Sequence, residues 1–273
     1  MFPKYEIRRS PLYVRAGIKT ADYPARFHKE LEIAFVEEGE LEIKIDNIAY
    51  TLMQGDLYLV FPNLLHTGKN KEGTRITIAI VDSGLCASYA DVLSHFKPAC
   101  PVLRKGSFPD PVYDSLRRMA EVNVSERSYR QSVLMGYLNA MLGEVFASLE
   151  LERRNSDNDL VRQLIVYILD NYTSDITLDD VARALNYSKY YISHVISDTF
   201  GCNFRPLINS YRVNMAQNLL LSTNKTVGEV AGECGFKNQS SFNRIFLKHT
   251  GVTPSSYRRQ QETPAEIPSI FLR

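Results

Sequence analysis

The chain has no tryptophan, only four cysteines in 273 residues, and no excess of charge of either sign. Cys86, Cys100, Cys202 and Cys234 include no pair at C-x-x-C spacing, which leaves zinc and dithiol-redox readings without support. With 32 Lys+Arg against 31 Asp+Glu the net charge is +1, so no global basic balance announces a nucleic-acid partner. No uncharged apolar stretch is long enough to span a bilayer. The first residues, Met1-Phe2-Pro3-Lys4-Tyr5-Glu6, lack the apolar run of a secretory signal, so a soluble cytoplasmic chain is expected. What is present is enough apolar side chain, 44%, and enough length for two ordinary domains. The charge is unevenly spread. Residues 1–158 hold 20 basic and 21 acidic groups, net −1, while residues 159–260 hold 11 and 8, net +3.

The mildly basic part contains one pattern twice. Leu178, Val181, Ala182 and Leu185 recur forty-nine residues later as Val227, Val230, Ala231 and Cys234. After one added residue, Ser188, Ile192, Val195, Ile196 and Gly201 recur fifty later as Asn238, Phe242, Ile245, Phe246 and Gly251. Internal repeats constrain a fold before any other feature. Apolar residues at i, i+3, i+4 and i+7 make one buried stripe per copy. Cys234 lies on such a stripe and reads as a small apolar filler. Thr226 with Glu229 makes a capping box, and Thr177 with Asp180 a weaker one. Asn186 and Gly235 can take the left-handed conformation that stops a helix. Ser188 and Asn238 then cap a second helix. Helix, short turn and capped helix is the helix-turn-helix layout, whose second helix enters the DNA major groove. Plain αα-hairpins would share the stripes, but a stacked helical array expects three or more repeats.

These residues carry a resemblance. The first copy has Leu178-Asp179-Asp180-Val181-Ala182, Tyr187 to Ser193 and Phe200-Gly201, followed by Arg212, Ala216 and Leu219-Leu220. The second has Val227-Gly228-Glu229-Val230-Ala231, Gly235-Phe236, Ser241 to Phe246, Gly251-Val252-Thr253-Pro254 and Tyr257-Arg258. Together they resemble the DNA-binding domain of the AraC/XylS family of bacterial transcription regulators. The resemblance implies promoter DNA and RNA polymerase as partners, more often in activation than repression. In the second helix of each copy, the side chains facing away from the stripe are the expected DNA contacts. These are Lys189, Tyr190, Ser193 and His194 in the first, and Gln239, Ser240, Ser241 and Arg244 in the second. Arg suits a guanine edge and Gln an adenine edge, so Arg244 and Gln239 are the expected direct readers. A joining helix around Leu207, Tyr211, Met215 and Leu219, about 15 residues and so roughly 22 Å long, would space the copies. Pro206 suits its first turn.

Residues 4 to about 82 read as short alternating strands, among them Ile33-Phe35, Ile43-Ile45, Leu57-Leu59-Phe61 and Ile76-Ile78-Ile80. Turn signals at Gly39, Asp46-Asn47, Gly55-Asp56, Pro62-Asn63 and Gly73 separate them. The order resembles the cupin jelly roll, a small barrel. The expected fold is therefore α+β: a β jelly-roll barrel with trailing helices, then an all-α domain with two helix-turn-helix motifs. Domain bounds are expected at 1–152 for the barrel and dimerisation domain, 153–158 for a polar linker, 159–260 for the DNA-binding domain and 261–273 for a mobile tail.

Where cupins place two His, a Glu and a further His around a metal, this chain has Arg26, His28, Glu32 and His66. Three ligands could still hold an ion with an open position. A cation beside Arg26 is disfavoured, so no metal and no cofactor is expected. The four are read instead as the contacts of a small-molecule effector, a sugar or related metabolite by resemblance, in a barrel that can hold one small ligand. Two other functions remain open: a metal-dependent cupin enzyme with a helical appendage, and a regulator answering to a protein partner. Residues 83–110 are read as irregular. A helix over Val112–Val122 follows, then a longer one from Tyr129 to Leu151. Leu134, Leu138, Met141, Val145 and Leu149 lie on one face of the longer helix, with Val133, Tyr137 and Phe146 widening the arc. So broad an arc asks for more than one neighbour, and a homodimer through residues 127–151 is expected.

Overall fold

The structure is a computed structural model describing residues 4–6, 8, 10–19, 22–126, 128–153 and 160–259. The chain divides into a β-rich unit and a helical unit, with the change along the chain falling between Asn155 and Ser156. Residues 154–158 of the expected linker and the expected tail at 261–273 lie outside the described residues.

The strands are β1 (Lys4–Tyr5), β2 (Leu12–Lys19), β3 (Tyr23–Phe27), β4 (Leu31–Glu38), β5 (Glu40–Ile45), β6 (Ile48–Met53), β7 (Leu57–Val60), β8 (His66–Asn70) and β9 (Arg75–Val81). In the β-rich unit one sheet has the order β7-β4-β9-β2 and the other holds β8-β5-β6. Asp46-Asn47 turns β5 into β6 with both residues at positive φ, as a tight hairpin requires. Alternation along β4 sorts its side chains. Leu31 and Ile33 pack outward under helices, while Ala34 and Val36 join Leu41, Ile43, Leu52, Tyr58, Val60 and Ile78 between the sheets. Glu32 shares the inward parity of Ala34 and is fully buried.

The segment expected to be irregular holds more order than its prolines suggest. A 3-10 turn (Ser83–Tyr89) leads into α1 (Ala90–His95), then β10 (Phe96–Pro98) and β11 (Val102–Leu103), which extends the first sheet beside β7. β10 pairs antiparallel with β12 (Leu151–Arg153), so the helix expected to reach Leu151 stops at Ala147 and Leu151 is already strand. Two-stranded pieces this short carry almost no periodicity, which is why the sequence hides them. Helices α2 (Pro111–Asn123) and α3 (Arg130–Ala147) cover the barrel. On α3, Leu134, Leu138, Met141, Leu142 and Val145 are buried, and Val133, Tyr137 and Phe146 pack against the same core. The broad apolar arc is thus satisfied within this unit.

The helical unit holds α4 (Leu160–Asn171), α5 (Leu178–Leu185), α6 (Lys189–Phe200), α7 (Phe204–Ser222), α8 (Val227–Glu233), α9 (Gln239–Thr250) and α10 (Pro254–Arg259). Two pieces of the N-terminal region group with it and not with the barrel as expected: β1, and Ala25–Phe27 at the end of β3. β1 runs parallel to β3, with Tyr5 opposite Phe27. Tyr5 stacks on Tyr211 of α7 at 5.0 Å, and Phe27 lies 5.2 Å from the same ring. Large aromatic faces dominate such packing, and nothing in the alternation of Tyr23–Phe27 announces it.

Candidate functional site

Both copies of the repeat are built from the expected local chemistry. Thr177 caps α5 by accepting from the Asp180 amide, and the Asp180 carboxylate accepts from the Thr177 amide. Thr226 and Glu229 repeat this on α8. Both boxes are complete, so the first is not the weaker version expected. These bonds hold the carboxyls of Asp180 and Glu229 below the usual carboxylate range. Asn186, at φ 60°, ends α5, and Gly235, at φ 78°, follows α8. Ser188 caps α6 and Asn238 caps α9, each accepting from the amide three residues on. Ile192 and Ile196 anchor α6, and Phe242 and Phe246 anchor α9; all four are fully buried. Cys234 is buried among Val230, Ala231 and Phe246, and burial pushes its thiol up to about 12, as expected of an inert filler.

Two arginines brace the copies. Arg212 on α7 donates to the carbonyls of Tyr172 and Ser174 just before α5. Arg258 on α10 donates to those of Leu220 and Lys225 just before α8. The copies also meet directly. A Cβ on Gly235 would lie 2.6 Å from the Thr173 carbonyl oxygen, Arg212 sits over the Phe236 ring at 5.8 Å, and Lys237 pairs with Asp175 at 2.6 Å. Helix α7 has 19 residues, so it is about 28 Å long and not the shorter rod expected.

Inside the barrel, three side chains converge. His28 Nε2 lies 3.1 Å from Glu32 Oε2, and His66 Nε2 lies 3.8 Å from the same oxygen. The Tyr58 hydroxyl donates to Glu32 Oε1 at 2.8 Å. His28 Nδ1 faces the Glu30 carbonyl at 3.1 Å and His66 Nδ1 the Leu64 carbonyl at 3.0 Å. The side chains of His28, Glu32 and His66 have no exposed surface. Beside them, burial raises the Glu30 carboxyl above its ordinary value. The Arg26 guanidinium pairs with Glu6 at 3.5 Å, and both belong to the helical unit. An open recess of about 570 Å³, lined by Gly39, Glu40, Met53, Gln54, Lys71 and Glu72, contains none of the four expected effector contacts.

Residues 11–159 match the AraC-like ligand binding domain family, and residues 181–260 match a helix-turn-helix domain family. The chain belongs to the AraC/XylS family of transcription regulators. It is 33% identical over 129 residues to the uncharacterized HTH-type transcriptional regulator YtdP of Bacillus subtilis (strain 168), covering 46% of this chain but only 16% of that protein's length. It is 21% identical over 264 residues to the melibiose operon regulatory protein of Escherichia coli (strain K12), covering 86% of this chain and 83% of that one. Among solved structures, ToxT of Vibrio cholerae with bound unsaturated fatty acid superposes with a TM-score of 0.55 at 15% identity, over 94% of this chain and 96% of that one; at that identity the fold is what is shared.

In this AraC-family regulator the expected DNA-facing residues Lys189, Tyr190, Ser193, His194, Gln239, Ser240 and Arg244 are exposed, and Ser241 is half-buried. Lys189 is held by Asp179 at 2.7 Å. Tyr190 OH lies 3.1 Å from His194 Nε2, so these two present themselves as a pair. Asn243 was missed. It is exposed and stands fifty residues after Ser193, so the repeat offset itself points to it. Tyr58 was also missed at the barrel cluster. All four residues of β7 are buried, so alternation of polarity cannot show which face Tyr58 takes. Among the described residues no helix is long and apolar enough to cross a membrane.

Proposed function

We propose that this regulator binds an asymmetric promoter site through α6 and α9 of one chain and answers to a small metabolite in its barrel. The observation that carries the reading is the exposure of both second helices above buried anchors, with unequal side chains on each. Arg244 and Gln239 read base edges, while Lys189, Tyr190, Ser193, His194, Ser240 and Ser241 position the unit on phosphates or read weakly. The effector is a sugar or related metabolite recognised by His28, Glu32 and His66. Likeness to a melibiose operon regulator supports the sugar class. Effector binding shifts the arrangement of units or protomers and so the affinity for promoter DNA, and the output is activation through RNA polymerase in the cytoplasm.

A homodimer through residues 127–151 fits one feature of α3. Its exposed side carries Gly136, Ala140, Gly143 and Ala147 at helical spacing, small enough for a second helix to approach closely. Selection of bound fragments from random duplex DNA tests the main reading. Enrichment of a two-part, non-palindromic site supports it, and equal retention of all sequences at moderate salt overturns it. Reciprocity requires effector affinity to change by the same factor when operator is added.

A further inference from the structure

We propose that the barrel holds a divalent transition-metal ion, ligated by His28 Nε2, His66 Nε2 and a Glu32 carboxylate oxygen. This rests on the reading of the cluster as the regulator's input site and specifies its chemistry. One ligand atom from each of the three residues lies within 4.8 Å of the others. Atoms each about 2.0–2.2 Å from one ion stand on the order of 3–4 Å apart, so small side-chain adjustments close the site.

The surroundings orient the donors. A carbonyl oxygen only accepts, so the Glu30 and Leu64 carbonyls fix the hydrogen of each neutral imidazole on Nδ1. Each ring then turns the lone pair of Nε2 toward the Glu32 carboxylate. The Tyr58 hydroxyl donates to Oε1, and Oε2 is the oxygen that faces both rings. Histidines held by carbonyls through one nitrogen, with a hydrogen-bonded carboxylate between them, form the outer support of a metal centre. Two imidazoles and one carboxylate suit zinc, nickel, cobalt or ferrous ion and leave positions for an exogenous oxygen ligand. A metabolite with adjacent hydroxyls, or a hydroxyl beside a carboxylate, would fill them.

The test uses the full chain, stripped with chelator and titrated with Co²⁺ alone. One equivalent should bind with visible absorption, and His66→Ala and Glu32→Gln should each weaken it at least tenfold. His95→Ala, an exposed histidine on α1, should leave it unchanged. Circular dichroism of the two cluster variants must match the parent; if His66→Ala misfolds, Glu32→Gln decides. No saturable binding, or binding that survives in a folded Glu32→Gln chain, overturns the proposal. Operator binding is read separately on the stripped chain. Loss of the metal result with retained DNA selectivity therefore sinks this inference alone.

Discussion

The two helix-turn-helix copies agree in everything that builds them and differ in what they show to solvent. Each has a complete capping box, a left-handed residue at the turn, a capped second helix and two buried anchors. Each is braced by an arginine reaching back to carbonyls ahead of its first helix. Yet α6 presents an aromatic pair, Tyr190 and His194, and a lysine already held by Asp179, whereas α9 presents Gln239, Asn243 and Arg244. The anchors differ too: isoleucines in the first copy, a chain of phenylalanines ending on Tyr257 in the second. The scaffold repeats while the exposed residues proposed to read DNA differ, so affinity and selectivity need not be shared equally.

The largest expected effect tests the anchors. Phe246→Ala should cost about 3–5 kcal/mol and Ile196→Ala about 2–5 kcal/mol, the first being the larger, read from denaturant unfolding of the helical unit. Equal losses would show that the aromatic chain adds nothing. Next comes readout. Arg244→Ala should lose about 1–3 kcal/mol of operator binding and relax one base position. His194→Ala, its counterpart, should cost less, and the reverse order would invert the assignment of reader and positioner. The caps come third. Thr226→Ala and Thr177→Ala should each destabilise by about 1 kcal/mol, and unequal values would break the equivalence of the two boxes.

The same boxes set a pH dependence. Asp180 and Glu229 are both depressed by bonds from the side chain and backbone of their threonines, and Glu229 chiefly by the backbone one. Their contribution is fully present above the ordinary carboxylate pKa and is lost as pH falls through the lowered value. Both threonine variants should therefore blunt acid unfolding, as read by circular dichroism below pH 4.5 or so. The smallest effect belongs to Lys189→Ala. It should weaken all sequences alike and lower the salt slope by at most about one, because Asp179 already shares that charge.

What the sequence made legible was what repeats or alternates. The caps at Thr177, Ser188, Thr226 and Asn238, the stripes on α5 to α9 and the strands of the barrel all follow from local chemistry. The grouping of His28, Glu32 and His66 came instead from the resemblance to the cupin pattern, and these three side chains lie together. What stayed hidden depends on partners distant in the chain. The pairing of β10 with β12 and the packing of Tyr5 and Phe27 on Tyr211 have no local signature. Neither has the bond from Tyr58 to Glu32, which lies in a strand buried on both faces. The arc on α3 was read correctly as broad, but one thick core covers it.

At Gly235 the turn of the second copy rests on the backbone before the first, with no space for even a methyl group. On the proposed reading of DNA by α6 and α9, the interval between the two copies is thus cast into the chain, like the gauge of a railway. Operators that differ in spacing must be accommodated by the DNA. A regulator of this build that evolved toward a wider site would have to change that glycine before any of the residues that touch a base.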